Sequence, residues 1–141
     1  MNSHSLKIFS GADVQYLKHT TILVDRLPAS YLAPRGSFAA RLNDVRCHEL
    51  ARAVGKMLGL EVVDGKYGAV DHSWLVTRRG AEEVQTMTVL DVYAVGRLPQ
   101  VQLLSIETLL PHGMYRPGPT RTDIDEVFVQ EIVDFWTGES T

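Results

Sequence analysis

The clearest periodicity in the chain is the helical spacing of apolar residues between positions 43 and 58. Asn43 or Asp44 can cap the start of this helix, and Gly59 follows the last apolar position as a stop signal. The pattern therefore predicts an amphipathic helix over residues 43–58 with one face in the core. That face is formed by Cys47, Leu50, Val54, Met57 and Leu58. The charged residues expected to face solvent are Glu49, Arg52 and Lys56.

After the helix, the apolar positions change to the alternation that is typical of antiparallel strands. Residues 60–63 predict a short strand before the turn signal Asp64-Gly65, and residues 101–106 predict the last strand. Two longer strands are predicted between them, over residues 67–77 and 84–95. One face of the first carries Val70, His72, Trp74 and Val76, and one face of the second carries Met87, Val89, Asp91 and Tyr93.

His72 and Asp91 are expected to lie on the same face of these two strands. A four-residue loop over residues 80–83 would place them directly opposite each other. A slip of two residues would leave them diagonal neighbours on the same face, whereas a slip of one would separate them. Because a carboxylate on the inner face of an apolar strand is costly unless it is paired, His72 is the expected partner of Asp91.

The two ends of the chain carry weaker patterns, and residues 1–40 are the least informative. Residues 6–9 predict a short edge strand, residues 12–19 one or two helical turns, and residues 20–24 a strand rich in β-branched side chains. Towards the other end, residues 109–119 predict a loop rich in Pro and Gly.

A closing helix is predicted over residues 122–136, with Thr122 or Asp123 as its cap. The predicted order is therefore a helix, a run of antiparallel strands and a C-terminal helix, which is typical of an α+β fold. The chain of 141 residues fits a single domain over residues 1–141, with its core in residues 43–95.

Composition and charge narrow the classes of function. Charged residues make up 22% and the hydrophobic set 45%, as in an ordinary globular domain, and the net charge of -3 argues against a general nucleic-acid binder. No apolar run approaches the roughly 20 residues of a membrane span, and the first residues do not form a secretory signal. One cysteine cannot form an internal disulfide, so the chain gives no sign of an oxidising compartment. A cytoplasmic location is therefore expected by default, and secretion by a route without a signal peptide stays open. No motif predicts a cofactor, and nothing indicates the oligomeric state.

The candidate chemistry centres on Cys47, the only cysteine, near the start of the predicted helix. A thiolate there would benefit from unpaired N–H groups, from the positive end of the helix dipole and from a nearby imidazolium. His72 on one strand and Asp91 on the next can supply a base and a group that orients it. The same residues also fit a buried structural cysteine and a structural His–Asp pair, and both interpretations stay open on residue types alone.

Residues 43–95 resemble the transglutaminase-like branch of the papain-like cysteine peptidase superfamily. In that branch a Cys opens a helix that ends at a Gly step, and a His-x-Trp strand and a strand ending in an apolar-Asp pair follow. The matching residues are Cys47, Ala51, Gly59-Leu60, Val63, Gly65, His72-Ser73-Trp74 and Leu90-Asp91. The resemblance implies a papain-like fold with a core helix on an antiparallel sheet. It also implies that Cys47 is the nucleophile, His72 the general base and acid, and Asp91 the orienting group.

The leading hypothesis is a cysteine hydrolase or acyl-transferase that acts on an amide, isopeptide or thioester bond of a peptide or protein. The reaction would pass through an acyl-enzyme on Cys47 and would need neither a metal nor a cofactor. Trp74 and Asn43 are the candidate substrate-contacting residues, although Trp74 also fits a core position.

Two other hypotheses follow from particular residues. A binding or assembly module without catalysis, such as a scaffold, an immunity-type protein or a virus-associated component, is indicated by the atypical flanks Arg46 and His48. The lack of a recognisable oxyanion-hole side chain points the same way. A metal hydrolase would instead use His48, His72 and Asp91 as ligands.

Overall fold

The computed structural model describes residues 9–28, 47–79, 86–92, 101–107 and 114–138. Within these ranges, three helices accompany one five-stranded antiparallel sheet, in agreement with the predicted α+β class. None of the helices in these ranges is both long enough and apolar enough to cross a membrane. In chain order the elements are α1 (Gly11–Arg26), α2 (Cys47–Leu58), β1 (Glu61–Tyr67), β2 (Val70–Arg79), β3 (Thr86–Asp91), β4 (Gln102–Glu107), β5 (Tyr115–Pro117) and α3 (Glu126–Thr137).

The first helix, α1, contradicts the prediction of a strand at residues 20–24. A reciprocal capping box fixes its start, because the Asp13 N–H donates to Ser10 Oγ at 3.1 Å and the Ser10 N–H donates to Asp13 Oδ2 at 3.0 Å. The helix continues through the β-branched residues because Thr20 and Val24 lie on its buried face. Tertiary packing therefore outweighs the strand propensity of this segment.

The second helix, α2, confirms the predicted helix over residues 47–58, and residues 43–46 of the prediction lie outside the described residues. Gly59 follows it in the left-handed region at φ 70°, a conformation that glycine adopts without strain. The prediction that Glu49 and Arg52 face solvent is wrong. Glu49 is buried and accepts a hydrogen bond from the Asp125 N–H at 3.2 Å, and Arg52 pairs with a carboxylate of the sheet. The buried apolar side chains of the helix include Cys47, Leu50 and Val54.

The strands lie in the order β4-β3-β2-β1-β5, and all neighbouring pairs are antiparallel. The first strand is longer than predicted, because Asp64-Gly65 lies inside β1 instead of forming a turn. The turn to β2 lies at Gly68, where φ is 62°. The predicted turn between the first two strands is present, but it lies at Gly68 and not at Gly65.

The pairing of β2 with β3 sets the relation between His72 and Asp91. Leu75 lies opposite Leu90 in this ladder, so the same register places Asp91 across from Trp74 and diagonal to His72. The prediction that His72 and Asp91 lie directly opposite each other is therefore wrong, because the register of the two strands differs from the predicted one by two residues. Both side chains nevertheless stay on one face, because the strand period is two.

The two faces of the sheet carry different parts of the core. The face towards α2 contributes Leu75 and Leu90 to a cluster with α1, α2 and α3. The opposite face carries a second cluster that includes Trp74 and Val89. Strand alternation therefore places Ser73 on the α2 side of β2, with His72 on the other side.

A short strand, β5, lies within residues 109–119, where the sequence predicts only a loop. It pairs with β1 at the edge of the sheet, with Gly65 opposite Pro117. A Cβ atom on Gly65 would lie 2.1 Å from the carbonyl oxygen of Arg116, so only glycine allows this approach. The position of β5 consequently depends on a glycine of the neighbouring strand.

The C-terminal helix, α3, confirms the predicted closing helix but begins later than expected. Asp125 caps it, accepting a hydrogen bond from the Phe128 N–H at 3.0 Å, so neither Thr122 nor Asp123 is the cap. Near its end, Trp136 donates its indole N–H to the Leu23 carbonyl at 2.8 Å, which ties α3 to α1.

Several predicted features lie outside the described residues. They include the strand at residues 6–9 except Phe9, the proposed caps Asn43 and Asp44, the flanking residue Arg46, and Tyr93.

Candidate active site

His72 and Asp91 form a buried pair on the face of the sheet that points away from α2. Both side chains are completely inaccessible to solvent. The Nε2 atom of His72 lies 2.8 Å from Oδ2 and 3.0 Å from Oδ1 of Asp91. Because a carboxylate only accepts hydrogen bonds, Nε2 carries a proton, and Nδ1 is the nitrogen that would act as the acceptor in a neutral ring.

The second nitrogen of the His72 ring is the unusual feature of this pair. Nδ1 is buried and has no hydrogen-bond partner among the described residues. Buried polar atoms are nearly always paired, so an unpaired one needs an explanation such as a catalytic role. Among the described residues the ring is thus held by hydrogen bonds through Nε2 alone.

Tyr115 is a third member of this cluster, and sequence analysis missed it. Its hydroxyl donates to Asp91 Oδ2 at 2.5 Å. Its ring packs edge-on against Tyr67 and Trp74, with centroids 5.0 Å and 5.2 Å away. The sequence gives no signal for this residue, because a strand of three residues is too short to show alternation.

Cys47 is the first described residue of α2, and the residues that precede it lie outside the described ranges. Its side chain is only 1% exposed. Burial raises the pKa of the thiol to about 12, and the charge of Asp91 adds to this rise, although a hydrogen bond from the Ser73 backbone opposes it. Burial of Cys47 therefore favours the neutral thiol over the thiolate. Its sulfur meets β2 at Ser73, the residue after His72, and forms no hydrogen bond with Nδ1.

A second buried polar network lies beside Cys47 on the α2 side of the sheet. Ser73 Oγ donates to Asp64 Oδ1 at 2.5 Å, so its oxygen is left to accept from His48 Nδ1, 2.7 Å away. Asp64 also accepts a bidentate pair from Arg52, at 3.0 Å and 2.6 Å. The Arg121 backbone N–H donates to Asp64 Oδ2 at 3.0 Å. The network joins α2, β1, β2 and the segment before α3.

The charges in this network are fixed at neutral pH. Burial raises the pKa of Asp64, but hydrogen bonds from Arg52, Ser73 and the Arg121 backbone outweigh it and hold the pKa at about 2. Burial and the positive charge of Arg121 lower the pKa of His48 to about 4. Asp64 is therefore ionised and His48 neutral, with the Nδ1 proton of His48 directed at Ser73. This geometry makes Ser73 a structural hydroxyl and not an activated nucleophile.

The remaining sequence-predicted site residues have different outcomes. Trp74 is fully buried beside His72, with ring centroids 6.0 Å apart, and its indole N–H has no partner among the described residues. Asn43 lies outside the described residues. Within the described ranges, no group of three His, Cys, Asp or Glu side chains could hold a metal ion, so the metal-hydrolase hypothesis based on His48, His72 and Asp91 gains no support.

Comparisons with known proteins leave the family of the chain open. No family model matches it, and neither the search of curated proteins nor the search of solved structures returns a match. The interpretation of the site consequently depends on the geometry of its own residues.

Proposed function

We propose that the protein is a papain-like cysteine hydrolase or acyl-transferase that acts on an amide, isopeptide or thioester bond of a peptide or protein. Cys47 is the nucleophile, His72 the general base and acid, and Asp91 the group that orients His72. The observation that carries this proposal is the hydrogen bonding of the His72 ring. Asp91 holds Nε2, Nδ1 is buried without a partner among the described residues, and the Cys47 sulfur accepts a hydrogen bond from the backbone of Ser73, which follows His72 in the chain.

The proposed reaction requires the Cys47 sulfur, which contacts the Ser73 backbone on the α2 side of β2, to come within reach of Nδ1 of His72 on the other side. Transfer of the thiol proton to Nδ1 then leaves a thiolate beside an imidazolium. The thiolate attacks the carbonyl carbon, and the imidazolium protonates the leaving amine or thiol as the acyl-enzyme forms. His72 then takes a proton from the water or amine that releases the acyl group. Asp91 keeps the ring in one tautomer and stabilises its charged form throughout.

Trapping of the acyl-enzyme tests this proposal. The full chain is incubated with a small activated thioester, and the acylated residue and its lifetime are followed by mass spectrometry. We expect acylation at Cys47 and rapid deacylation, and we expect the His72→Ala variant to acylate more slowly and to keep the acyl group longer. Acylation and deacylation rates equal to those of the urea-unfolded chain would rule the proposal out.

A second candidate function is a binding or assembly module in which the same residues are structural. The observation that favours it is the burial of Cys47, whose side chain is 1% exposed and whose pKa is raised to about 12 by that burial. His72, Asp91 and Tyr115 would then form a polar cluster that fixes the packing of β2, β3 and β5. A thiol reagent distinguishes the two functions, because a structural Cys47 reacts only as fast as the whole protein unfolds.

A further inference from the structure

The hydroxyl of Tyr115 contacts the carboxylate that orients the proposed base. It donates to Oδ2 of Asp91 at 2.5 Å, and the same oxygen accepts from Nε2 of His72 at 2.8 Å. Hydrogen bonds to a charged acceptor are stronger than those between neutral groups. One carboxylate oxygen thus links a phenol on β5 to an imidazole on β2.

The position of Tyr115 is set by the sheet and does not depend on its hydroxyl alone. Tyr115 pairs with Tyr67 in the ladder of β5 with β1. Backbone hydrogen bonds of 2.8 Å join Gly68 N–H to the Met114 carbonyl and Gly118 N–H to the Asp64 carbonyl, one on each side of this pairing. The phenol consequently reaches Asp91 from a fixed backbone, which is the requirement for orienting another group.

The proton of this hydrogen bond belongs to Tyr115 over the accessible pH range. Burial raises the pKa of the Tyr115 hydroxyl, and the negative charge of Asp91 raises it further. Tyr115 is therefore a permanent donor to Asp91. An aspartate side chain turns easily about its last torsion, so a fixed donor on one oxygen limits the plane that the carboxylate can adopt.

From these contacts we infer that Tyr115 is a positioning residue, which holds Asp91 so that His72 keeps its proton on Nε2 and presents a bare Nδ1. This inference rests on the proposed function only for the role of Nδ1 as the acceptor of the Cys47 proton. The effect on the tautomer of His72 follows from the hydrogen bonds themselves. It can therefore be measured whether or not Cys47 reacts.

The variant that tests this inference is Tyr115→Phe, which keeps the ring and removes only the hydroxyl. Tyr67→Phe is a matched control, because the Tyr67 ring lies as close to His72 as the Tyr115 ring does, with ring centroids 6.3 Å apart against 6.2 Å for Tyr115. No hydrogen bond joins the Tyr67 hydroxyl to any described residue. Only the Tyr115→Phe variant therefore removes a hydrogen bond to Asp91.

The tautomer is measured by nitrogen NMR of protein labelled with ¹⁵N-histidine. In the wild type and in Tyr67→Phe we expect separate signals for a protonated Nε2 and an unprotonated Nδ1 of His72. In Tyr115→Phe we expect the two signals to move towards each other as the second tautomer becomes populated. Unchanged His72 signals in Tyr115→Phe would overturn the inference.

Two further readouts complete the experiment. The rate of Cys47 alkylation should fall about tenfold in Tyr115→Phe, the effect of one lost hydrogen bond, and should not change in Tyr67→Phe. A shifted tautomer with Cys47 alkylation that is independent of His72 would support the positioning role and refute the proposed function. If Tyr115→Phe does not fold, solvent exchange of the Tyr115 hydroxyl proton in the wild type tests the inference instead. A Tyr115 hydroxyl proton protected from solvent exchange supports the inference, and rapid exchange overturns it.

Discussion

The Nε2 atom of His72 lies 2.8 Å and 3.0 Å from the two carboxylate oxygens of Asp91, and neither side chain is exposed to solvent. Their neighbours on this face of the sheet include the apolar side chains of Trp74 and Val89. Replacing one member of a buried pair leaves the other without a partner, which costs more than the pair itself contributes. The pair therefore matters for the fold whether or not it takes part in catalysis.

The first prediction concerns the stability that Asp91 provides. Asp91→Ala leaves the His72 N–H and the Tyr115 O–H without their acceptor, and it should lower the free energy of unfolding by about 3 kcal/mol. Urea denaturation measures the change. Asp123→Ala is the control, because Asp123 is also an aspartate bound to a basic partner but is 66% exposed, and we expect its stability to stay near that of the wild type. Equal effects of the two substitutions would contradict the importance of the buried pair.

The second prediction concerns acid and Asp64. Its pKa is about 2 in the folded protein against an ordinary value of 3.8, so ionised Asp64 stabilises the fold above pH 3.8. This contribution of about 2 kcal/mol should be lost as the pH falls from 3.8 towards 2. Denaturation of the wild type and of Asp64→Asn at several pH values measures it. The gap in stability between them should narrow in this window, and a gap that is constant with pH would show that Asp64 is not tightly held.

The third prediction concerns His48, whose effect on stability changes over a higher pH range than that of Asp64. Its pKa is lowered from 6.5 to about 4 by burial and by Arg121, so protons bind the unfolded chain more readily than the folded protein. Stability from this group is therefore complete above pH 6.5 and falls by about 3 kcal/mol as the pH drops to 4.

A pair of histidine substitutions isolates this effect. His48→Asn retains an N–H that can donate to Ser73 but cannot take up a proton, and it should remove the loss of stability in this window. His19→Asn, on the exposed side of α1, should retain the loss. The same pH dependence in both variants would argue against a neutral, buried His48.

The fourth prediction concerns the glycine that lets β5 approach the sheet. Gly65→Ala introduces a Cβ atom 2.1 Å from the Arg116 carbonyl oxygen, so β5 must move and carry Tyr115 away from Asp91. We expect a loss of roughly 2 kcal/mol or more, seen as a lower thermal midpoint. Gly118→Ala is the control, because its Cβ atom would meet its nearest neighbour at 3.6 Å, an ordinary contact. A Gly65→Ala variant as stable as Gly118→Ala would contradict this packing.

The pairing of His72 with Asp91 could be predicted from the sequence because it depends on alternation along two strands. Their exact register could not, since the ladder shifts between Val76 and Arg78. The two-residue displacement left the pair on one face, as the period of a strand requires. Gly59 likewise ended α2 as predicted, because its left-handed conformation is a local property of the chain.

The features that sequence analysis missed depend on contacts between distant parts of the chain. Tyr115 meets Asp91 only because β5 pairs with β1. The network from His48 through Ser73 to Asp64 requires α2 to lie on the sheet, and no local spacing indicates it. In α1, burial of Thr20 overrode a strand propensity that is weak in comparison with packing.

The most direct test of the proposed function is the rate at which iodoacetamide alkylates Cys47 near neutral pH, compared between the native and the urea-unfolded chain. Burial raises the pKa of the Cys47 thiol, and the proposed proton transfer to His72 must outweigh this effect, so we predict faster alkylation in the native protein. We predict loss of this advantage in His72→Gln but not in the control His19→Gln. Slower alkylation of native Cys47 than of the unfolded chain, with no effect of His72→Gln, would contradict the proposal and leave Cys47 a structural residue.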